Sequence, residues 1–196
     1  MIRKFLSGFV LALCVEHTAF AKDTCPKDAP MFSESIAYQV ITSWAQGLQY
    51  SRSANLESVA MNFVAKHYTR DAILLPTLSS KIRKGQNDIL DYFYTTDSGK
   101  PHGFLVKHPK EITDNPTYVA SAYCGSGDFA GYYTFLVQED SKPTETLIKA
   151  RFSILIQYRP HPRPAQFKIG NETIVIQRKP GWYIGAQHSS LIPKDH

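Results

Sequence analysis

The sequence predicts an α+β domain in which helices near the amino end pack against a curved antiparallel sheet. Two observations carry that expectation. Apolar residues recur at helical spacing early in the chain, at Ile36, Val40, Ile41, Trp44 and Leu48, then Val59, Ala60, Phe63 and Val64, then Ile89, Leu90 and Phe93. After Gly99 the period drops to two, as along strands. Helices followed by strands, rather than alternating with them, argue for segregated layers. The aromatic content agrees: 11 Tyr and 11 Phe in 196 residues favour a sheet-rich domain with one sizeable core.

Residues 1–21 read as a secretory leader. Arg3 and Lys4 form a basic start, Phe5 to Val15 a short apolar run, and Ala19-Phe20-Ala21 a cleavage site. The run is too short to cross a bilayer. The alternative is a buried amino-terminal helix. Cleavage removes two basic residues and one acidic one, taking the net charge from +5 to +4. That mild excess, with one dense basic stretch at Arg159-Pro160-His161-Pro162-Arg163-Pro164, reads as a Pro-rich solvated loop rather than a nucleic-acid site. Cys25 and Cys124 remain after cleavage. An oxidising compartment would pair them; two free thiols are the alternative.

Residues 22–32 carry two prolines and read as an extended arm. A single domain then covers 33–196. Ser33 caps the first helix, with Glu34 in its first turn. Ser51 to Ala54 is a break, Asn55 caps a shorter second helix, and a strand is expected at Ala72 to Leu75. Arg83-Lys84-Gly85 leads into the third helix. Strands are expected at Phe104–His108, Tyr118–Tyr123 and Phe129–Val137, where Phe129, Gly131 and Tyr133 share a side. Thr146–Arg159 is the long strand, with Ile148, Ala150, Phe152, Ile154 and Ile156 on one face. Pro160 to Asn171 is a loop or hairpin excursion. Thr173–Gln177 and Trp182–Ile192 finish the sheet, and alternation places Trp182, Ile184, Ala186, His188 and Ser190 together on a pocket wall.

Three blocks resemble the nuclear transport factor 2-like superfamily, in its branch related to the calcium/calmodulin-dependent kinase II association domain. They are His67-Tyr68 through Leu74-Leu75-Pro76-Thr77-Leu78 with Arg83, Gly85, Ile89 and Tyr92-Phe93; Ala150-Arg151-Phe152-Ser153; and Trp182-Tyr183-Ile184 with His188-Ser189-Ser190 and Pro193. They span about residues 33–193. The resemblance implies a cone-shaped, cystatin-like roll with a cavity at its open end, assembled through the sheet into dimers or larger rings. The stretch between Arg159 and Lys179 departs from the family's shorter connection. No kinase domain is present, so a kinase role does not transfer.

Arg151, in the middle of an apolar strand, needs a carboxylate, a carbonyl or a bound anion. It is either an anion-binding residue in the cavity or a structural ion-pair partner of Glu111 or Asp128. His188 is the candidate catalytic acid/base or a ligand partner, or else a His bonded to backbone. The expected ligand-binding set is Arg151, His188, Ser190, Tyr132 and Trp182. Tyr118, Tyr123, Tyr132, Tyr133 and Tyr158 are core residues or oxyanion donors; Asp128 and Asp71 are the only attractive bases, and neither sits in a matching motif. His102, His108 and His161 show no metal-ligand spacing, and no Gly-rich phosphate loop is present. No metal or cofactor is expected. The reading is an exported small-molecule-binding and oligomerising module for a small carboxylate or polar ligand. The alternative is an isomerase, cyclase or hydratase using His188 or an Asp with Tyr and Arg151.

Overall fold

The structure is a computed structural model that describes residues 25–26, 28–54, 56–94, 96–97, 100–101, 109–138 and 145–192. The expected leader and the strand expected at 104–108 lie outside the described residues. Three helices come first: α1 (Glu34–Ala54), α2 (Glu57–His67) and α3 (Gly85–Phe93). Ser33 Oγ accepts from the Ile36 N–H at 3.3 Å, as a helix cap should. The break expected at Ser51–Ala54 is absent, because α1 continues through it and buries Ser51. Gly85 opens α3 with φ 78°, a conformation a Cβ would penalise.

The strands are β1 (Tyr68–Leu75), β2 (Arg83–Lys84), β3 (Thr96–Asp97), β4 (Lys100–Pro101), β5 (Pro109–Tyr123), β6 (Ser126–Gln138), β7 (Glu145–Arg159), β8 (Ala165–Ile169), β9 (Glu172–Ile176) and β10 (Gly181–Leu191). The main sheet runs β2-β1-β10-β7-β6-β5. Its neighbours are antiparallel except β1 and β10, which run parallel. The stretch 173–177, expected in this sheet, instead pairs with β8 as a separate hairpin. Gly170-Asn171, with φ 59° at Gly170, closes it as a two-residue turn, and Phe167 anchors it in the core.

One face of the sheet meets the helices. Phe129 and Tyr133 of β6, Phe152, Ile154 and Ile156 of β7 and Ile184 of β10 join Ile41, Trp44 and Leu48 of α1, Phe63 of α2 and Phe93 of α3 in one core. The arm is pinned to the far edge. Cys25 and Cys124 form a disulfide with Cα atoms 5.3 Å apart, and Phe32 N–H donates to Tyr123 O at 3.0 Å. Closing a loop of 99 residues this way contributes about 4–5 kcal/mol in the chain-entropy account. Phe32 lies on Gly127, where a Cβ would overlap its ring.

Candidate functional site

The last strand decides which polar groups enter the cone. In β10, Ile184 pairs with Ile156 and Ala186 with the adjacent Leu155, so Gly185 is an extra residue. Such a bulge shifts the alternation by one. Trp182 and Ile184 face the helices before it; Gln187 and Ser189 face them after it, at 3% and 6% exposure. His188 and Ser190 turn to the opposite face. The single wall expected from Trp182, Ile184, Ala186, His188 and Ser190 is therefore split by the bulge.

Arg151 is likewise on the outer face, exposed, and not in the cone. The alternation that puts Ala150, Phe152, Ile154 and Ile156 inward leaves it no other side. Its Nε donates to Ser190 Oγ at 3.1 Å. Neither expected ion-pair partner is shown for it: Asp128 accepts from Ser121 Oγ at 2.6 Å, and the Glu111 side chain lies outside the described residues. Four members of the expected set still meet. Tyr132, Arg151, His188 and Ser190 line an outer-face hollow of about 240 Å³. Trp182 stands apart, edge-on to Phe32 at 5.6 Å and to Tyr158 at 5.3 Å, and helps hold the arm.

Inside the cone a different set converges. Trp44 Nε1–H donates to the Tyr68 hydroxyl at 2.8 Å, which donates to Gln187 Oε1 at 2.6 Å. Beside this relay, Ser189 shares hydrogen bonds with both Thr77 and Tyr133, and the Thr77 and Tyr133 hydroxyls lie 3.5 Å apart. Leu74, Pro76 and Phe93 wall the space between them. The remaining free volume is about 10 Å³, at the threshold for one water. A nearly filled hollow replaces the deep pocket expected from sequence, because aromatic side chains from the helices and from β6 occupy it.

Burial sets the charge state of this cluster. The Tyr133 phenol is pushed up to about 12 by desolvation, against the opposing pull of its bonds to Ser189 and Thr77. Desolvation also raises Tyr68 and Tyr92. All three are neutral near pH 7 and act as hydroxyl donors. None of the residues lining the cavity is a His or a carboxylate. Asp71 is exposed on β1 and Asp128 lies beside outward-facing Leu155, so neither expected base reaches the cluster. Among the described residues, no three His, Cys, Asp or Glu side chains gather closely enough to hold a metal. No helix among them is long and apolar enough to cross a membrane.

Sequence reading passed over Tyr68, Thr77, Gln187 and Ser189 as a site. The available signal was the glycine at 185, which marks a bulge when it interrupts a strand pattern.

The architecture is the nuclear transport factor 2-like, cystatin-like fold. A calcium/calmodulin-dependent protein kinase II association-domain protein from Xanthomonas campestris superposes with TM-score 0.57 at 23% identity, covering 81% of this chain and 87% of that one. An iota-carbonic anhydrase from a cyanobacterium, solved with bicarbonate, gives TM-score 0.60 at 14% identity over 89% of this chain and 100% of that one. A nuclear transport factor 2-like protein with a cystatin-like fold from Novosphingobium aromaticivorans gives 0.51 at 9% identity, over 82% of each chain. No protein-family model matches the chain, and no curated protein matches it.

Proposed function

We propose that the inner hydroxyl cluster binds a small oxygen-rich species of bicarbonate's size and interconverts it with carbon dioxide and water. One observation carries the reading. Neutral donors from two strands and the turn after β1 converge in an apolar-walled space, the buried Tyr133 and Ser189 with the half-buried Thr77, and a second donor relay lies beside them. Such preorganised donors stabilise an oxyanion better than water does. The free volume of about 10 Å³ holds one water, so a substrate of bicarbonate's size enters only as the Thr77 and Tyr133 hydroxyls part from Ser189. The likeness in fold to an iota-carbonic anhydrase is consistent with it.

In the hydration direction a water oxygen bonds to the carbon of carbon dioxide. A C=O π pair moves onto an oxygen held by the Tyr133 and Ser189 hydroxyls, and the proton lost by water passes to buffer. With no base among the lining residues, the rate should rise with buffer base concentration. Stopped-flow hydration of carbon dioxide tests this. Ser189→Ala and Tyr133→Phe should each lower kcat/KM about a hundredfold, as loss of one oxyanion donor does. A folded wild-type chain no faster than buffer alone sinks the reading.

A second reading rests on the outer hollow, where Arg151, His188, Ser190 and Tyr132 would hold a small carboxylate. Acetate- to succinate-sized acids should then shift the melting temperature of the wild type and not of Arg151→Ala. The same face is the one we assign to homodimer contacts, and light scattering reads that state. We also place the mature chain outside the cytoplasm, in the periplasm or secreted; the disulfide suits such an oxidising compartment. A mature amino terminus at Lys22 is the expected result of sequencing the exported protein.

A further inference from the structure

We propose that the cleft between β1 and the loop after β7 binds a small molecule carrying two or more linked phosphate groups. The cleft has a volume of about 540 Å³ and gathers Arg70, Arg159, Arg163 and Arg178 with His161 and Asp71. Four arginines against one aspartate leave an excess of three positive charges, more than one carboxylate or one phosphate monoanion cancels. The volume is that of an ordinary ligand site rather than of a single ion.

Three of the four guanidiniums are held but not neutralised. Arg70 donates to Gln166 Oε1 at 2.8 Å, Arg159 to Gln157 Oε1 at 2.6 Å, and Arg178 to Tyr68 O at 2.6 Å. These acceptors carry no charge. Among the described residues, none of the four arginines forms an ion pair. Arg178 also lies 3.9 Å above the Tyr183 ring, and its Nε is buried without a hydrogen-bond partner. Burial lowers Arg178 from its ordinary value, against the opposing pull of Tyr183 and Asp71 and with the charge of Arg159 adding to it. Like charges brought together in this way repel unless an anion sits among them. Guanidinium forks match phosphate oxygens two at a time.

The loop that presents them is stiff. Pro160, Pro162 and Pro164 alternate with His161 and Arg163, and each proline fixes its own φ. The backbone at Arg159 and Arg163 therefore loses little freedom on binding, which lowers that part of the entropic cost of capture. The basic, Pro-rich stretch that reads from sequence as a solvated loop becomes one wall of this cleft. The hydroxyl cluster inside the cone is a separate place, so the two can be tested independently.

Calorimetric titration of the full chain in physiological salt is the test, with phosphate, pyrophosphate, tripolyphosphate and a nucleoside diphosphate as probes. Pyrophosphate or tripolyphosphate should bind one per chain, at least tenfold tighter than phosphate. Arg159→Ala and Arg163→Ala should each weaken that binding about tenfold, the loss expected for one charged hydrogen-bonding partner. Arg163→Glu, a substitution at an exposed loop position, should abolish it while the melting temperature stays within a few degrees. A nucleoside diphosphate that binds tighter than pyrophosphate would identify a nucleotide as the source; an equal or weaker one would identify an inorganic or other phosphate chain. No binding of pyrophosphate or tripolyphosphate, binding that is equal for all the phosphates, or binding unchanged in the arginine variants would overturn the proposal.

Discussion

The two faces of β6, β7 and β10 carry polar groups one residue apart in sequence and far apart in chemistry. Tyr133, Phe152 and Ser189 face the helices, while Tyr132, Arg151 and His188 or Ser190 face away. Inside, every donor is dehydrated, neutral and bonded to another. Outside, the more strongly polar set is exposed, and water competes for each group. A charged side chain in the middle of a strand is conspicuous in sequence, yet the buried hydroxyls are the groups the fold has organised. Removal from water, more than formal charge, makes a polar group strong.

The contrast depends on one glycine. Inserting one alanine between Ala186 and Gln187 would carry the rest of β10 one place further along its neighbours. Gln187 and Ser189 would turn outward, and His188 and Ser190 would enter the apolar interior without partners. The β1–β10 register on the other side would also slip. We expect this to remove most of the roughly 5–15 kcal/mol that holds a domain of this kind together. Circular dichroism melting reads it; an insertion variant that melts cooperatively near the wild type would show that the phase of β10 after the bulge does not set the two faces.

The same glycine explains what sequence did and did not make legible. Helices before strands, the inward face of β7 and the side shared by Phe129, Gly131 and Tyr133 follow from periodicity, because many residues vote together. The cysteine pair follows from arithmetic once the leader is set aside. A bulge is a single-residue event, so periodicity phases β10 wrongly beyond Gly185 and hides the inner cluster. An apolar strand suggests that the charge at Arg151 is buried too, although its own neighbours Ala150 and Phe152 claim the inward face. Pro160 to Asn171 reads from sequence as a loop or hairpin excursion, but that β9 leaves the main sheet to pair with β8 is a matter of tertiary packing.

A histidine on the helix side feels the same dehydration. His67 is buried at the end of α2; its Nδ1–H donates to Phe63 O at 2.8 Å, and the Ser43 hydroxyl lies 3.2 Å from Nε2. Burial lowers its pKa from 6.5 to about 4. Between those values the unfolded chain binds a proton that the folded chain does not. Stability is therefore full above pH 6.5 and falls as pH drops toward 4, by about 3 kcal/mol in total. Urea midpoints across that range should show the decline, and His67→Gln should lose it. A flat wild-type profile would contradict the burial of this ring.

A smaller effect is expected from Tyr68→Phe. The change leaves the shape of the core and strands two polar groups, the Trp44 N–H and Gln187 Oε1. An unsatisfied buried donor or acceptor costs about 1–3 kcal/mol. We expect about 2 kcal/mol, since Gln187 can turn its amide. A loss no larger than that of an exposed Tyr→Phe change, such as Tyr132→Phe, would mean that the inner relay is no stronger than the outer hollow.

The smallest effect belongs to the outer face, and it discriminates most. Arg151 touches Ser190 and otherwise meets solvent, so Arg151→Ala should leave the urea midpoint of the isolated chain unchanged. Carbon dioxide hydration should stay within twofold of wild type, because no inner donor contacts this side chain. If the face joins two copies, the substitution should instead raise the dissociation constant of the dimer, read by sedimentation at low concentration. A hundredfold fall in hydration with the dimer intact would reverse the assignment, placing the chemistry on the outer face and leaving the buried hydroxyls as a structural brace.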